Sequence, residues 1–140
     1  MPDKDIINEK INSIQRCLRR IAEVTKGDKD ALDNYDIQDI FILNLQRAVQ
    51  AAIDIAVHIV SYEGWGVARM VRENFHILEE HGIIESTMAD KLKRMVGFRN
   101  IAIHDYTQLD IEILKNILIH TLTDIEEFYT AIINYYHLNQ

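Results

Sequence analysis

The chain has 140 residues, of which 48% are apolar, and its 22 acidic and 15 basic side chains give a formal net charge of −7 at pH 7. This length suits one globular domain spanning residues 1–140, and the negative charge argues against sequence-independent binding of duplex DNA. The single cysteine excludes an internal disulfide, while one proline and five glycines argue against a turn-rich all-β fold.

Two features of the chain predict a cytoplasmic protein that does not enter a membrane. The longest unbroken apolar run, Ile40 to Leu43, is far shorter than the roughly 20 residues that cross a bilayer. The charged start at Asp3, Lys4 and Asp5 lacks the pattern of a secretory signal. Cys17 lies beside the apolar row of the first predicted helix, and we interpret it as a small core residue rather than a nucleophile.

Apolar periodicity predicts a first helix and a long second helix. In the first, isoleucine and leucine residues recur three and four positions apart between residues 7 and 21, until Gly27 provides a stop. The second begins near Asp36 and ends at the glycines of 64–66. It contains three small residues that would let another helix approach closely: Ala48, Ala51 and Ala52.

Three further helices complete the predicted fold. The third runs from about Val67 to Glu80, with Phe75 and Leu78 as core residues. The fourth begins at an N-cap supplied by residue 86 or 87, and the fifth begins near Asp110 and continues towards the C-terminus. Five amphipathic helices with short connections predict an all-α bundle.

The histidines of this chain do not predict a metal site. His76 and His81 are five residues apart, which separates them by about 140° around a helix, so they cannot share one metal ion. The sequence has no cysteine cluster and no second histidine pair at helical spacing. We therefore predict neither a metal nor an organic cofactor.

The stretch FRNIAIHDY, residues 98–106, places polar side chains within an apolar helix. On an ideal helix, at about 100° per residue, six residues form the core stripe: Met88, Leu92, Met95, Val96, Ala102 and Ile103. Arg99 lies within this stripe. Because burying an unpaired charge is costly, we expect the stripe to open into a wet groove at Arg99. Tyr106, seven residues later, lies almost directly above Arg99 on the helix. Phe98 and Ile101 point away from the stripe, which predicts a second cover on that side. Another helix of the chain could supply it, but we favour a two-fold homodimer.

Each polar side chain of this stretch also has a structural interpretation. Arg99 could pair with Asp105, His104 could cap the helix end, and Tyr106 could be a core aromatic residue. Together with Asn100, however, they bring a cation, an amide, an imidazole and a phenol to one helix end, just after a stretch with a local charge of +3 at residues 86–99. Such groups suit a phosphate ester, because arginine donates to phosphate oxygens and histidine exchanges protons near neutral pH.

The spacing Arg99-x4-His104-x-Tyr106, set as RNIAIHDY after MVGF, resembles the signature of the HepT-type toxins of the HEPN superfamily. The likeness includes the order of five helices and the text LQRAVQAAIDIA at residues 45–56. The resemblance implies the ribonuclease toxin of a type VII toxin–antitoxin pair. It implies a metal-independent enzyme that acts as a homodimer, with two motifs facing each other across a cleft.

The resemblance also implies roles for individual residues. Arg99 and His104 would be the catalytic pair, and Asn100 would support them. The partner would be an MntA-like minimal nucleotidyltransferase antitoxin, which in some members transfers AMP to the motif tyrosine, here Tyr106. Lys93 shares a helical row with Asn100 and His104, and we predict from this position alone that it adds a contact to the RNA phosphates.

Two other functions remain open at this point. The first is a non-catalytic HEPN helical module that binds and assists a partner nucleotidyltransferase. The second, a metal-dependent nuclease, is disfavoured because the sequence has no clustered carboxylates of the kind that hold a catalytic metal.

Overall fold

A computed structural model describes residues 2–104 and 110–138, without the side chain of His104. The described residues form a helical bundle, which confirms the predicted all-α fold. Its elements are α1 (Lys4–Thr25), a 3₁₀ turn (Lys29–Asp33), α2 (Tyr35–Glu63), α3 (Glu73–Glu80), α4 (Ser86–His104), α5 (Ile111–Asn116), a π-helical turn (Ile117–Thr121) and α6 (Leu122–Tyr136). The last three follow one another without a break, so they form the fifth helix of the predicted bundle.

Side-chain caps define where the helices begin. Oδ1 of Asp3 accepts from the backbone N–H of Asp5 at 2.9 Å at the start of α1. At the start of α5, Oδ1 of Asp110 accepts from the backbone N–H of Glu112, also at 2.9 Å. These bonds satisfy N–H groups that have no partner within the helix. Gly64 ends α2 in the left-handed conformation, with a φ of 69°, which glycine adopts without steric cost.

The core lies mainly between α1, α2, α4 and α6. Ala48 and Ala52 of α2 are buried, as their small size predicts for a close helix contact. Cys17 is 5% exposed, which confirms it as a core residue, and burial raises the pKa of its thiol. The helix α2 is long and apolar enough to cross a bilayer by length and composition, but most of its apolar stretch is buried within the bundle. Its apolar character is therefore explained by its place in the core.

The predicted start of the third helix at Val67 is wrong, because α3 begins at Glu73. Val67 is 96% exposed, and Val71 is also exposed, so neither side chain gains from packing against the core. The backbone N–H groups of Glu73 and Asn74 instead bond to carbonyls three residues earlier, which is a tighter turn than an α-helix. The predicted core residues Phe75 and Leu78 are buried.

The predicted core stripe of α4 is correct except at its C-terminal end. Leu92, Met95, Val96 and Ala102 are buried, whereas Ile103 is 54% exposed. The prediction for Ile103 is wrong because the described part of the chain supplies no side chain that covers the outer side of this last turn.

The other face of α4 also differs in part from the prediction. Ile101 is 49% exposed and points away from the core, as predicted. Phe98 does not, because it packs against the core from the side and lines a groove together with Ile113 of α5. The same chain therefore supplies part of the cover that the sequence led us to expect for this face.

Candidate active site

The guanidinium of Arg99 is held between two helices near the end of α4. Its Nη1 donates to Oε1 of Gln50 on α2 at 2.5 Å. Its Nη2 donates to Oδ1 of Asn100 at 2.6 Å. Arg99 is half-buried, whereas Gln50 and Asn100 are exposed, so the guanidinium lies at the edge of the core within reach of solvent. This is the kind of position that the sequence predicted for a cation in the core stripe.

Both hydrogen-bond partners of Arg99 among the described residues are neutral amides. Among the described residues no carboxylate forms an ion pair with Arg99, and Asp105 lies outside them. The Nε of Arg99 is buried without a hydrogen-bond partner in this part of the chain, whereas each Nη keeps one further hydrogen. The guanidinium is thus fixed in place without loss of its positive charge, which suits it to bind an anion.

Gln50 is itself held by a second pair of side chains. Its Nε2 donates to Oδ1 of Asp54, one turn further along α2, at 2.9 Å. Oδ2 of Asp54 lies 3.1 Å from Nζ of Lys10 on α1. A chain of contacts therefore joins α1, α2 and α4 and ends at Arg99.

Sequence reasoning missed Gln50 and Asp54 as site residues. Their spacing of four positions on a predicted helix indicates a possible side-chain contact. The partner that gives this contact a function, Arg99, lies 49 positions away from Gln50. Nothing in a single sequence shows which turn of α2 packs against which turn of α4.

The remaining predicted site residues lie along α4 or beyond it. Lys93 is half-buried, and its Nζ lies 3.9 Å from Oδ1 of Asp90, at the outer limit of an ion pair. Lys93 and Asn100 are seven residues apart, which is about 10 Å along a helix. His104 is the last residue of α4, but its side chain is not described, and Tyr106 lies outside the described residues. The structure thus brings Arg99 and Asn100 together and describes no geometry for His104 or Tyr106.

The histidines that the sequence excluded as a metal pair have separate partners. His76 Nε2 lies 2.7 Å from Oε1 of Glu80. The ring of His81 stacks on Trp65 with ring centroids 3.7 Å apart. Within residues 2–104 and 110–138, no three histidine, cysteine or acidic side chains are grouped as metal ligands would be.

A groove of about 430 Å³ lies on one flank of α4, but Arg99 is not among the residues that line it. Its walls include Met95 and Phe98 of α4 and His120 of the π-helical turn. Since Lys93 and Asn100 belong to the opposite flank of α4, the groove and the polar row are on different sides of the helix. Lys93 lines a second groove, of about 520 Å³, beside α3, whereas Arg99 and Asn100 line neither of these two grooves.

The helical bundle and the sequence of its fourth helix define a class of protein. The family model described as "Ribonuclease HepT-like" matches residues 14–132. The chain therefore belongs to the HepT-like ribonuclease family, the family that the RNIAIHDY motif indicated.

Individual relatives cover three quarters or more of the chain. It is 41% identical over 128 residues to the mRNA nuclease HepT of Shewanella oneidensis. The aligned region covers 91% of this chain and 96% of the relative. It is 31% identical over 106 residues to a putative RNase of Archaeoglobus fulgidus. This aligned region covers 76% of the chain and 74% of the relative.

Solved structures of toxin–antitoxin complexes share the fold. One is the tri-AMPylated HEPN toxin of Shewanella oneidensis in complex with its MNT antitoxin, with a TM-score of 0.86 and 42% identity over 91% of this chain and 96% of that one. Another is a toxin–antitoxin complex with AMP-PNP, with a TM-score of 0.86 and 40% identity over 91% of this chain and 97% of that one.

Proposed function

We propose that this chain is the toxin of a toxin–antitoxin pair in the cytoplasm and that it is a metal-independent RNA endonuclease. The observation that carries the proposal is the Arg99 guanidinium, which two neutral amides hold at an exposed helix end. This arrangement occurs in a chain that is 41% identical to an mRNA nuclease. A fixed cation of this kind stabilises the extra negative charge that develops on a phosphate during cleavage.

RNA supplies its own nucleophile for the reaction. The 2′-hydroxyl loses its proton and attacks the adjacent phosphorus, and the bond from phosphorus to the 5′-oxygen breaks. A 2′,3′-cyclic phosphate remains on one fragment, and the departing 5′-oxygen takes up a proton. We assign both proton transfers to His104, and charge stabilisation to Arg99 with the support of Asn100. Lys93, about 10 Å from Asn100 along α4, binds a phosphate further along the strand.

The active site needs two copies of the chain. On a straight helix Arg99 and His104 point about 140° apart, so one protomer does not direct both at one phosphate. Around a two-fold axis, each protomer would add its motif to a shared cleft. The surface beside the motif supports this assembly, because Ile101 and Ile103 of α4 are each about half exposed.

The antitoxin partner is a minimal nucleotidyltransferase that silences the toxin by transferring AMP to Tyr106. The tri-AMPylated toxin among the solved structures supports this proposal. An attached AMP would add bulk and negative charge beside the cation that has to bind RNA. Intact mass after co-expression with the partner tests the modification. A mass increase of AMP units that is absent from Tyr106→Phe supports it, and an increase that persists in this variant contradicts it.

Expression of the wild type beside Arg99→Ala and His104→Ala, with RNA profiling, tests the nuclease itself. We expect growth arrest and RNA decay with the wild type and neither effect with the two variants. If His104→Ala acts like the wild type, or if the wild type leaves RNA intact, the chain is instead a binding module for its nucleotidyltransferase.

A further inference from the structure

We infer that Gln50 and Asp54 are positioning residues for Arg99, and that the neutral amide of Gln50 fixes the guanidinium while leaving its charge available for phosphate. This inference rests on the proposed ribonuclease function, because it gives Arg99 the catalytic charge. Neither Gln50 nor Asp54 belongs to the RNIAIHDY motif, and both lie on α2, 45 or more positions before Arg99.

The contact with Asp54 determines which end of the Gln50 amide faces Arg99. An amide has a donating nitrogen and an accepting oxygen, whereas an ionised carboxylate only accepts. Asp54 therefore binds Nε2 of Gln50, at 2.9 Å, and the oxygen is turned towards the guanidinium. If the amide were reversed, its N–H₂ group would face the N–H groups of Arg99 and its oxygen would face the carboxylate, and both contacts would be lost.

The charges in this set of side chains are arranged so that Gln50, and not the carboxylate of Asp54, contacts the Arg99 guanidinium. The carboxylate of Asp54 is paired with Lys10 at 3.1 Å, which offsets its negative charge. Among the described residues, the groups that hydrogen-bond to the Arg99 guanidinium, Gln50 and Asn100, are uncharged. A carboxylate at position 50 would bind the guanidinium more strongly but would also repel the phosphate that has to bind there. The structure thus supplies orientation to Arg99 without neutralising it.

Fixing the Arg99 side chain in one rotamer before RNA binds also affects the kinetics of cleavage. A free arginine side chain populates many rotamers, and ordering it on each encounter with substrate slows the reaction. Two hydrogen bonds from different helices select one of these rotamers before RNA arrives. Loss of Gln50 is therefore expected to lower kcat, whereas a negative charge at this position is expected to raise KM as well.

The test compares Gln50→Ala and Gln50→Glu with Gln46→Glu, which introduces the same charge one turn earlier on α2. Cleavage of a short fluorescent RNA is measured under steady-state conditions beside the melting temperature of each variant. We expect Gln50→Ala to lower kcat about tenfold with little change in KM. We expect Gln50→Glu to raise KM about tenfold, because its carboxylate pairs with Arg99 and repels the phosphate of the RNA. Gln46→Glu should stay within about twofold of the wild type.

Asp54 provides a second, graded test. Asp54→Ala frees the amide of Gln50 and should lower kcat about threefold. Asp54→Asn keeps an oxygen that can accept from Nε2 of Gln50 and should recover most of this loss. A merely structural role for Asp54 predicts instead that activity follows the melting temperature in both variants.

Rotation of the Arg99 guanidinium, measured by NMR of its side-chain nitrogens, gives a readout that does not depend on cleavage. Gln50→Ala and Asp54→Ala should both speed this rotation, and Gln46→Glu should not. Unchanged rotation, or full activity of Gln50→Glu, overturns the inference even when Arg99→Ala is inactive and the ribonuclease stands. If Arg99→Ala still cleaves RNA like the wild type, it is the proposed function that fails.

Discussion

Nη2 of Arg99 lies 2.6 Å from Oδ1 of Asn100, the residue that follows it in α4. Neighbouring residues on a helix point about 100° apart, so this contact requires the long arginine side chain to bend across the helix surface. The same guanidinium reaches Gln50 on α2 with its other terminal nitrogen. The planar fork of the arginine therefore makes both contacts at once.

Arg99→Lys tests the requirement for this shape. A lysine keeps the positive charge, but its single nitrogen cannot span both amides in the fixed geometry of the guanidinium. We expect cleavage to fall about 10- to 100-fold, whereas RNA binding falls no more than about threefold, because most of the attraction to phosphate remains. Single-turnover cleavage and fluorescence anisotropy measure the two quantities separately.

Arg94→Lys is the matched control, since Arg94 is an exposed residue of the same helix. It should leave both quantities unchanged. Cleavage by Arg99→Lys at the rate of the wild type would mean that charge alone is sufficient, and the role of the two amides would then be structural.

The exposed apolar surface at the end of α4 predicts the effect of a charge placed there. Ile101 and Ile103 are 49% and 54% exposed, so a glutamate at either position should not disturb the fold of a single chain. If these side chains face a second copy, Ile101→Glu or Ile103→Glu should separate the dimer and abolish cleavage together, because each buries an unpaired charge in the interface. Light scattering with size-exclusion chromatography gives the mass in solution.

Val67→Glu serves as the control for this prediction, because Val67 is 96% exposed and lies in the connection between α2 and α3. It should keep the mass and the activity of the wild type. A monomeric Ile103→Glu variant that still cleaves RNA would show that one chain contains a complete active site.

Local signals in the sequence predicted most of the helices. The helix start next to Asp110 follows from a capping side chain, and the stop at Gly64 follows from the conformational freedom of glycine. The start at Val67 was wrong because periodicity alone cannot tell whether an apolar side chain has anything to pack against. In the structure, Val67 and Met70 are exposed.

For the candidate site, the sequence predicted only the contacts between residues that are close together in the chain. The juxtaposition of Arg99 and Asn100 is visible in a motif of adjacent residues, and the family resemblance indicated their use. The contacts of Gln50 with Arg99 and of Lys10 with Asp54 join different helices, so they depend on how the helices pack. Packing also decides that Ile103 is exposed, although its position on a helical wheel places it in the core stripe.

Removal of divalent metals should leave the nuclease active. In the proposed mechanism the guanidinium of Arg99 supplies the positive charge that a metal ion supplies in other nucleases. The part of the chain described here has no group of three potential metal ligands. Cleavage in excess EDTA should therefore stay within about twofold of the untreated rate. A loss of activity that Mg²⁺ or Mn²⁺ restores would favour the metal-dependent nuclease instead.

The C-terminal end of α6 is joined to the end of α2 by a buried phenol, which predicts how stability changes at alkaline pH. Tyr136 is 7% exposed, and its hydroxyl donates to Oε1 of Glu63 at 3.2 Å. Burial, with the adjacent carboxylate as a second cause, raises the pKa of Tyr136 well above the usual value of 10.0. The folded state therefore keeps this proton at a pH where the unfolded chain has released it.

The sign of the effect follows from this difference in bound protons. Stability from Tyr136 is fully present below pH 10 and is lost as the pH rises from there towards the raised pKa of the folded state. Tyr136→Phe should lower the free energy of unfolding by about 1 kcal/mol at pH 7 through the lost hydrogen bond. The difference from the wild type should then shrink between pH 9 and pH 11, as measured by urea denaturation.

Tyr35→Phe, at a position that is 80% exposed at the start of α2, is the control and should keep the stability of the wild type between pH 7 and pH 11. Cys17, whose pKa is also raised by burial, weakens the wild type and both variants equally at high pH, so its effect cancels in the comparison. A difference between wild type and Tyr136→Phe that stays constant from pH 7 to 11 would mean that the phenol ionises alike in the folded and unfolded chains. The contact with Glu63 would then contribute through packing alone, because a proton that both states release at the same pH cannot change their balance.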